Sequence, residues 1–137
     1  MRAHSDYLTM QTKQAREFVN ITQAVKAAVE KSGVREGIVL ISALHSNAAV
    51  FINEDNPALL AEVDVWLARQ APANTARQAG PHQESSASAH LQNLLLQGHV
   101  AVGVTDGKLE LGPWQAVFYA ELDGCRPKRV LIKVLGD

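Results

Sequence analysis

The sequence predicts an α+β domain, a largely antiparallel or mixed β-sheet packed with about three helices. Three observations predict it. Strand-like and helix-like segments do not alternate as regular βαβ units would. The C-terminal part is a run of consecutive strand-like segments, and Asp106-Gly107 supplies a tight hairpin turn there. Neither GxGxxG nor a Walker A pattern occurs, so a doubly wound nucleotide-binding fold is only the runner-up.

The elements follow in order. Ala3 to Gln14 alternates, with Tyr7 and Thr9 facing one way and Leu8 and Met10 the other, as on a half-buried strand. A short strand over Arg16 to Ile21 follows. Thr22 then caps a helix over Gln23 to Ser32, whose apolar stripe is Val25, Ala28 and Val29 and whose C′ residue is Gly33. Gly37 to Ala43 is a continuous β-branched run and reads as a central strand covered on both faces. His45 to Asn53 is the next strand. Its pleat places His45, Asn47, Ala49, Phe51 and Asn53 on one face.

Asn56-Pro57 starts a helix, because asparagine caps and a proline at N1 forfeits no needed hydrogen bond. Leu59, Leu60, Val63, Trp66 and Leu67 form its apolar face. Ala71 to Ser86 is a long irregular stretch, of the kind that often carries function. Ser86 or Ser88 caps the last helix, with Leu91, Leu94 and Leu95 inward and Gly98 at its end. Val100 to Val104, Lys108 to Leu111, Trp114 to Leu122 and Arg129 to Val134 complete the strands, with Pro113 interrupting the ladder.

Residues 1–137 read as a single domain, with no internal repeat and no linker between two cores. Hydrophobic residues make up 47% and charged residues 20%, which excludes a disordered chain. A formal charge of −1 provides no field to recruit nucleic acid or anionic lipid. No stretch approaches the ~20 apolar residues of a membrane span, and the N-terminal residues do not form a signal peptide. The single cysteine, Cys125, cannot form an intrachain disulfide, and a cytoplasmic location is expected.

Several residues could carry chemistry. His45, His82 and His90 come from a strand, the long loop and the last helix. Converging imidazoles would suit a transition metal, although their spacing matches no metal signature and each has an ordinary structural reading. Glu54, within Asn53-Glu54-Asp55, is either a general base or part of a strand-to-helix turn. Trp114 either walls a pocket or belongs to the core, and Gln115 could read polar ligand edges. Arg126 and Arg129 either clamp a phosphate or sit at a solvated hairpin tip. Asp64 reads as an exposed helix charge.

One set of blocks is Ala89-His90-Leu91, Gly98, Thr105 through Gln115 (TDGKLELGPWQ), Glu121-Leu122-Asp123-Gly124, Arg126, Arg129 and Leu135-Gly136-Asp137. His45-Ser46-Asn47-Ala48-Ala49 leading to Ile52-Asn53-Glu54-Asp55 is a second piece. In their order and spacing these blocks resemble the YjbQ-like family, members of which are described as secondary thiamine-phosphate synthases. The resemblance covers nearly the whole chain. It implies an α+β homotrimer with clefts near the subunit interfaces. It implies a divalent metal on His45, His82 and His90, with Glu54 and Gln115 in catalysis and Asn53, Trp114, Arg126 and Arg129 binding substrate. Neutral imidazoles suit zinc; magnesium prefers oxygen ligands and would enter with a diphosphate.

The implied reaction joins a pyrimidine methyl diphosphate to a thiazole phosphate and releases pyrophosphate. The partners are then a small phosphorylated metabolite and two further copies of the chain, with neither nucleic acid nor membrane. A metal-dependent phosphate-ester hydrolase and a non-catalytic trimeric metal- or metabolite-binding protein are the alternatives. Two departures stand out. Pro113 replaces the family's threonine before Trp114, and the 78–86 stretch lacks the family's aromatic residue.

Overall fold

The computed structural model describes residues 1–72, 87–124 and 126–137. The strands are β1 (Arg2–Met10), β2 (Glu17–Asn20), β3 (Gly37–Ala43), β4 (Ala48–Glu54), β5 (His99–Thr105), β6 (Lys108–Leu109), β7 (Gln115–Glu121) and β8 (Lys128–Gly136). The helices are α1 (Thr22–Ser32), α2 (Pro57–Gln70) and α3 (Ala87–Leu96). Among the described residues the strands form two sheets, β1-β8-β3-β5-β6 and β2-β7-β4. Every pair is antiparallel, which excludes the doubly wound alternative.

The sequence makes these layers by two-residue alternation. Val39 and Ile41 of β3, Val102 and Val104 of β5, and Val130, Ile132 and Val134 of β8 all point to one face. There they meet Val25, Ala28 and Val29 of α1, and Ala48, Val50, Val117 and Tyr119 of the smaller sheet. The other face of the smaller sheet carries Ala49, Phe51, Ala120 and Leu122, which pack with Leu67 of α2 and Ala89 of α3. Phe51 stacks on Phe118 and meets Phe18 edge-on. The smaller sheet is therefore the middle layer; the Ala48–Glu121 end of the β4–β7 pair is buried, and Gln115 at the other end is exposed. Among the described residues no helix is long and apolar enough to cross a membrane.

Turn chemistry is where residue type placed the boundaries best. Asn56 Oδ1 accepts from the amides of Ala58 and Leu59 ahead of Pro57. Gly33 takes φ 69° at the end of α1. Asp106 and Gly107, at φ 51° and 76°, make the hairpin turn between β5 and β6.

Five expectations are corrected. Thr22 does not cap α1. Asn20 Oδ1 accepts from the Thr22 amide and hydroxyl, and that hydroxyl in turn accepts the Val117 amide of β7. β3 is covered on one face only, since Ile38 is 57% exposed. Trp66 of α2 is partly exposed rather than inward.

In α3 the leucines Leu91, Leu94 and Leu95 are exposed, and Ser88, Ala89 and Gln92 are buried. The reason is polar: Gln92 Nε2 donates to the carbonyls of Leu67 and Ala71, satisfying the open end of α2. Gln97, not Gly98, takes the left-handed position after α3. Asp64 is a partly exposed charge on α2, in keeping with expectation, and pairs with Arg16. The long stretch predicted to be irregular lies, from residue 73 on, outside the described residues.

Candidate functional site

A cavity of about 270 Å³ opens where β4 begins and β8 begins. Leu44, His45, Ser46, Asn47, His90, Arg126 and Lys128 line it. Three separate parts of the chain meet here. The β3–β4 turn brings His45 to Asn47, the first turns of α3 bring His90, and the β7–β8 connection brings Arg126 and Lys128. His45 was expected on the strand itself but sits in the turn before it.

The His45 ring is fixed from the main chain. Its Nε2 accepts the Arg129 amide at 3.3 Å, so the proton of the neutral ring lies on Nδ1. Burial pushes its pKa below the ordinary 6.5, and Lys128, Arg126 and Arg129 push in the same direction, against Glu121. His45 is accordingly a neutral donor at neutral pH. His90 differs: its Nε2 is buried and has no hydrogen-bond partner among the described residues. A buried nitrogen in that condition is costly unless something in the cavity meets it.

Beneath the cavity lies an ion pair with no solvent exposure on either side chain, Glu121 with Lys128. Lys128 Nζ also donates to the carbonyls of Asp123 at 2.9 Å and Asn47 at 3.3 Å, which uses all three ammonium protons. Glu121 further accepts the Tyr119 hydroxyl at 2.8 Å and the Asp123 amide at 3.2 Å. Burial, then this bond to Glu121, pushes the Tyr119 phenol far above its usual range, so it stays a donor.

Sequence reasoning missed this pair, although a signal was present. Glu121 shares alternation phase with Val117 and Tyr119, and Lys128 with Val130, Ile132 and Val134. Opposite charges on two core-facing phases require each other. Ser46 and Asn47 were also missed as wall residues; their signal was adjacency to His45.

The remaining expected residues lie elsewhere. Asn53, Glu54 and Gln115 stand at the far end of the β4–β7 pair, where Glu54 is opposite Gln115 and Asn53 opposite Ala116. Six residues of strand put them about 20 Å from the cavity. Gln115 Oε1 accepts the Gly112 amide at 2.8 Å, and Trp114 beside it is 75% exposed, so it is neither core nor a wall of this cavity. Asn53 Oδ1 accepts the Glu54 amide, and Glu54 Oε2 accepts from Asn56, so this cluster does serve as a turn. The Arg129 guanidinium stacks 4.4 Å from the Tyr7 ring centroid and reaches the cavity only through its amide. His82 and Cys125 lie outside the described residues.

For a metal the cavity offers two imidazoles among the described residues, one of which has its Nε2 lone pair taken by Arg129. Among the described residues, no three His, Cys, Asp or Glu side chains group as a metal set. The cations at the cavity also oppose a further one. As arranged, these residues suit an anion better than a divalent cation.

The family model described as UPF0047 protein YjbQ-like matches residues 6–137. A UPF0047 protein of Methanothermobacter thermautotrophicus is 35% identical over 136 residues, covering 99% of this chain and 94% of its own. One from Archaeoglobus fulgidus is 36% identical, covering 93% and 98%. A YbjQ-like protein of unknown function from Sulfolobus solfataricus superposes with a TM-score of 0.92 at 31% identity, covering 99% of each chain. A conserved hypothetical protein of Thermus thermophilus does so with a TM-score of 0.79 at 33% identity, covering 95% of this chain and 99% of that one.

Proposed function

The chain belongs to the YjbQ-like UPF0047 family, and on the chemistry of its cavity we propose that it binds the phosphoryl or diphosphate group of a small phosphorylated metabolite. One observation carries this reading. His45 and His90, far apart in sequence, face one cavity together with Arg126. Arg126 supplies charge-assisted donors, Ser46 a hydroxyl, and neutral His45 its Nδ1–H, a set matched to phosphate oxygens. At about 270 Å³ the cavity accommodates a diphosphate with part of a ring, less than two joined heterocycles need.

The reaction proposed is the one the resemblance implies. The carbon–oxygen bond to diphosphate breaks, the thiazole nitrogen forms the new carbon–nitrogen bond, and pyrophosphate departs with the electron pair. This chain's part is to hold the leaving group with Arg126 and to donate from His45 and His90 as its charge grows. Asn53, Glu54, Trp114 and Gln115 cannot reach that point within one chain. They join the site in this proposal only from a neighbouring copy of a homotrimer. Exposed Tyr7, Ile38 and Leu135 on the outer face of the larger sheet support such association. A cytoplasmic location accords with a soluble metabolite as substrate.

The test is incubation of the purified protein with the two precursors. Thiamine phosphate and pyrophosphate should appear, and His45→Ala and His90→Ala should reduce both at least tenfold. Product at the protein-free rate would reject the reaction, and failure of pyrophosphate to bind would reject the anion site. Light scattering should give three times 14.8 kDa. A second reading, a zinc ion on His90 with His45 and His82, rests on the unpartnered His90 Nε2. Bound zinc would supply a Lewis acid. It requires His45 to release the Arg129 amide. Elemental analysis of protein purified without affinity metal decides it: zinc retained by wild type and lost in His90→Ala supports it, and zinc-free wild type rejects it.

A further inference from the structure

The cavity's two polar walls lie beyond the last ladder pair of β4 and β7, Ala48 opposite Glu121. His45, Ser46 and Asn47 precede β4, and Arg126 follows β7. Past the end of that ladder, Lys128 ties the two segments together. Its ammonium bonds the Asn47 carbonyl on one wall and the Asp123 carbonyl on the other, and pairs with Glu121 at the end of β7. The next residue, Arg129, holds His45 Nε2 by its amide. Lys128 has no proton left to offer a ligand, so its presence at the cavity is not explained by binding. A pair whose only task was stability would be an odd choice, since well-packed apolar residues commonly do as well.

We infer that Glu121 and Lys128 are positioning residues: their ion pair sets the 45–47 wall against Arg126 and so fixes the geometry in which a phosphoryl group is held. The inference rests on the phosphoryl-site reading above. Asn47 is the point of attachment, through its main-chain carbonyl. Tyr119 completes the device by holding the second carboxylate oxygen of Glu121.

The double variant Glu121→Leu/Lys128→Met separates positioning from folding. It removes both charges together, leaving no buried charge unpaired, and so keeps the fold where either single substitution is liable to lose it. Pyrophosphate affinity is measured by calorimetry, folding by thermal unfolding, and the His45 and His90 ring signals by nitrogen NMR at one fixed pH. The expected result is a cooperative fold, at least tenfold weaker pyrophosphate binding, and displaced His45 signals. Wild-type affinity with unmoved His45 signals would overturn the inference.

If the double variant fails to fold, Glu121→Gln/Lys128→Met takes its place. It also removes both charges together and leaves an amide oxygen for the Tyr119 hydroxyl to donate to, and its His45 signals decide in the same way. Should wild type itself bind no pyrophosphate, the phosphoryl reading fails. The positioning inference then stands or falls on whether the His45 signals move in the double variant.

Discussion

β4 and β7 run side by side from Ala48–Glu121 to Glu54–Gln115, and their two ends are built on opposite principles. At the Glu121 end, a buried charge and a main-chain amide bond to distant parts of the chain: the Lys128 ammonium to Asn47, and the Arg129 amide to His45. At the Gln115 end, polar groups are exposed and satisfied by near neighbours: Gln115 by Gly112, Glu54 by Asn53 and Asn56. Long-range bonds hold a cavity open between segments, whereas local bonds only shape a turn. The same strand pair therefore presents a built site at one end and a free surface at the other.

The largest effect expected from breaking this contrast is at the buried end. Lys128→Met alone should cost about 3–5 kcal/mol, because Glu121 is left charged, buried and unpaired. Denaturant unfolding measures it, and a loss below about 1 kcal/mol would mean that water already reaches the pair. Tyr119→Phe should cost less, about 1–3 kcal/mol, by stripping one Glu121 oxygen of its donor without changing shape. An unchanged midpoint would show that oxygen to be satisfied otherwise.

His45 sharpens the comparison through pH. Its folded pKa lies below the unfolded value of about 6.5, so between those two values the unfolded chain binds more protons. The stability from neutral His45 is complete above pH 6.5 and is lost as pH falls through the lowered folded value. The melting temperature should therefore decline more steeply on acidification in wild type than in His45→Gln. Parallel declines would mean that the ring is not desolvated and not under the influence of Lys128.

How much of this was legible follows the same division. Local features could be read directly: Asn56-Pro57 starts α2, Asp106-Gly107 turns the hairpin, and the alternation of β8 points Val130, Ile132 and Val134 inward. Where a polar side chain leaves its own element, hydrophobicity misled. Gln92 took the inward face of α3 that the leucines were expected to hold, because the end of α2 needed its amide. His45 and His90 were recognised as candidates, but nothing in their spacing says that they share a cavity. That fact depends on tertiary layering. The grouping of Asn53, Glu54, Trp114 and Gln115 with them came from resemblance, and within one chain the β4–β7 register separates the two sets.

The smallest effect on folding belongs to Trp114, and it discriminates most between one chain and several. Its side chain is 75% exposed, so Trp114→Ala should change the stability of a single chain by no more than about 0.5 kcal/mol. A tryptophan left in water beside an ordered turn has little to lose by itself. If a second copy brings its cavity against this end of β7, the same substitution removes a large apolar contact from that interface. Activity from the two precursors should then fall with protein concentration more steeply in Trp114→Ala than in wild type. Light scattering should show dissociation over the same range. Identical concentration dependence in both proteins would confine the site to the His45 end of one chain, and the far end of β4–β7 would be left with the role of a turn alone.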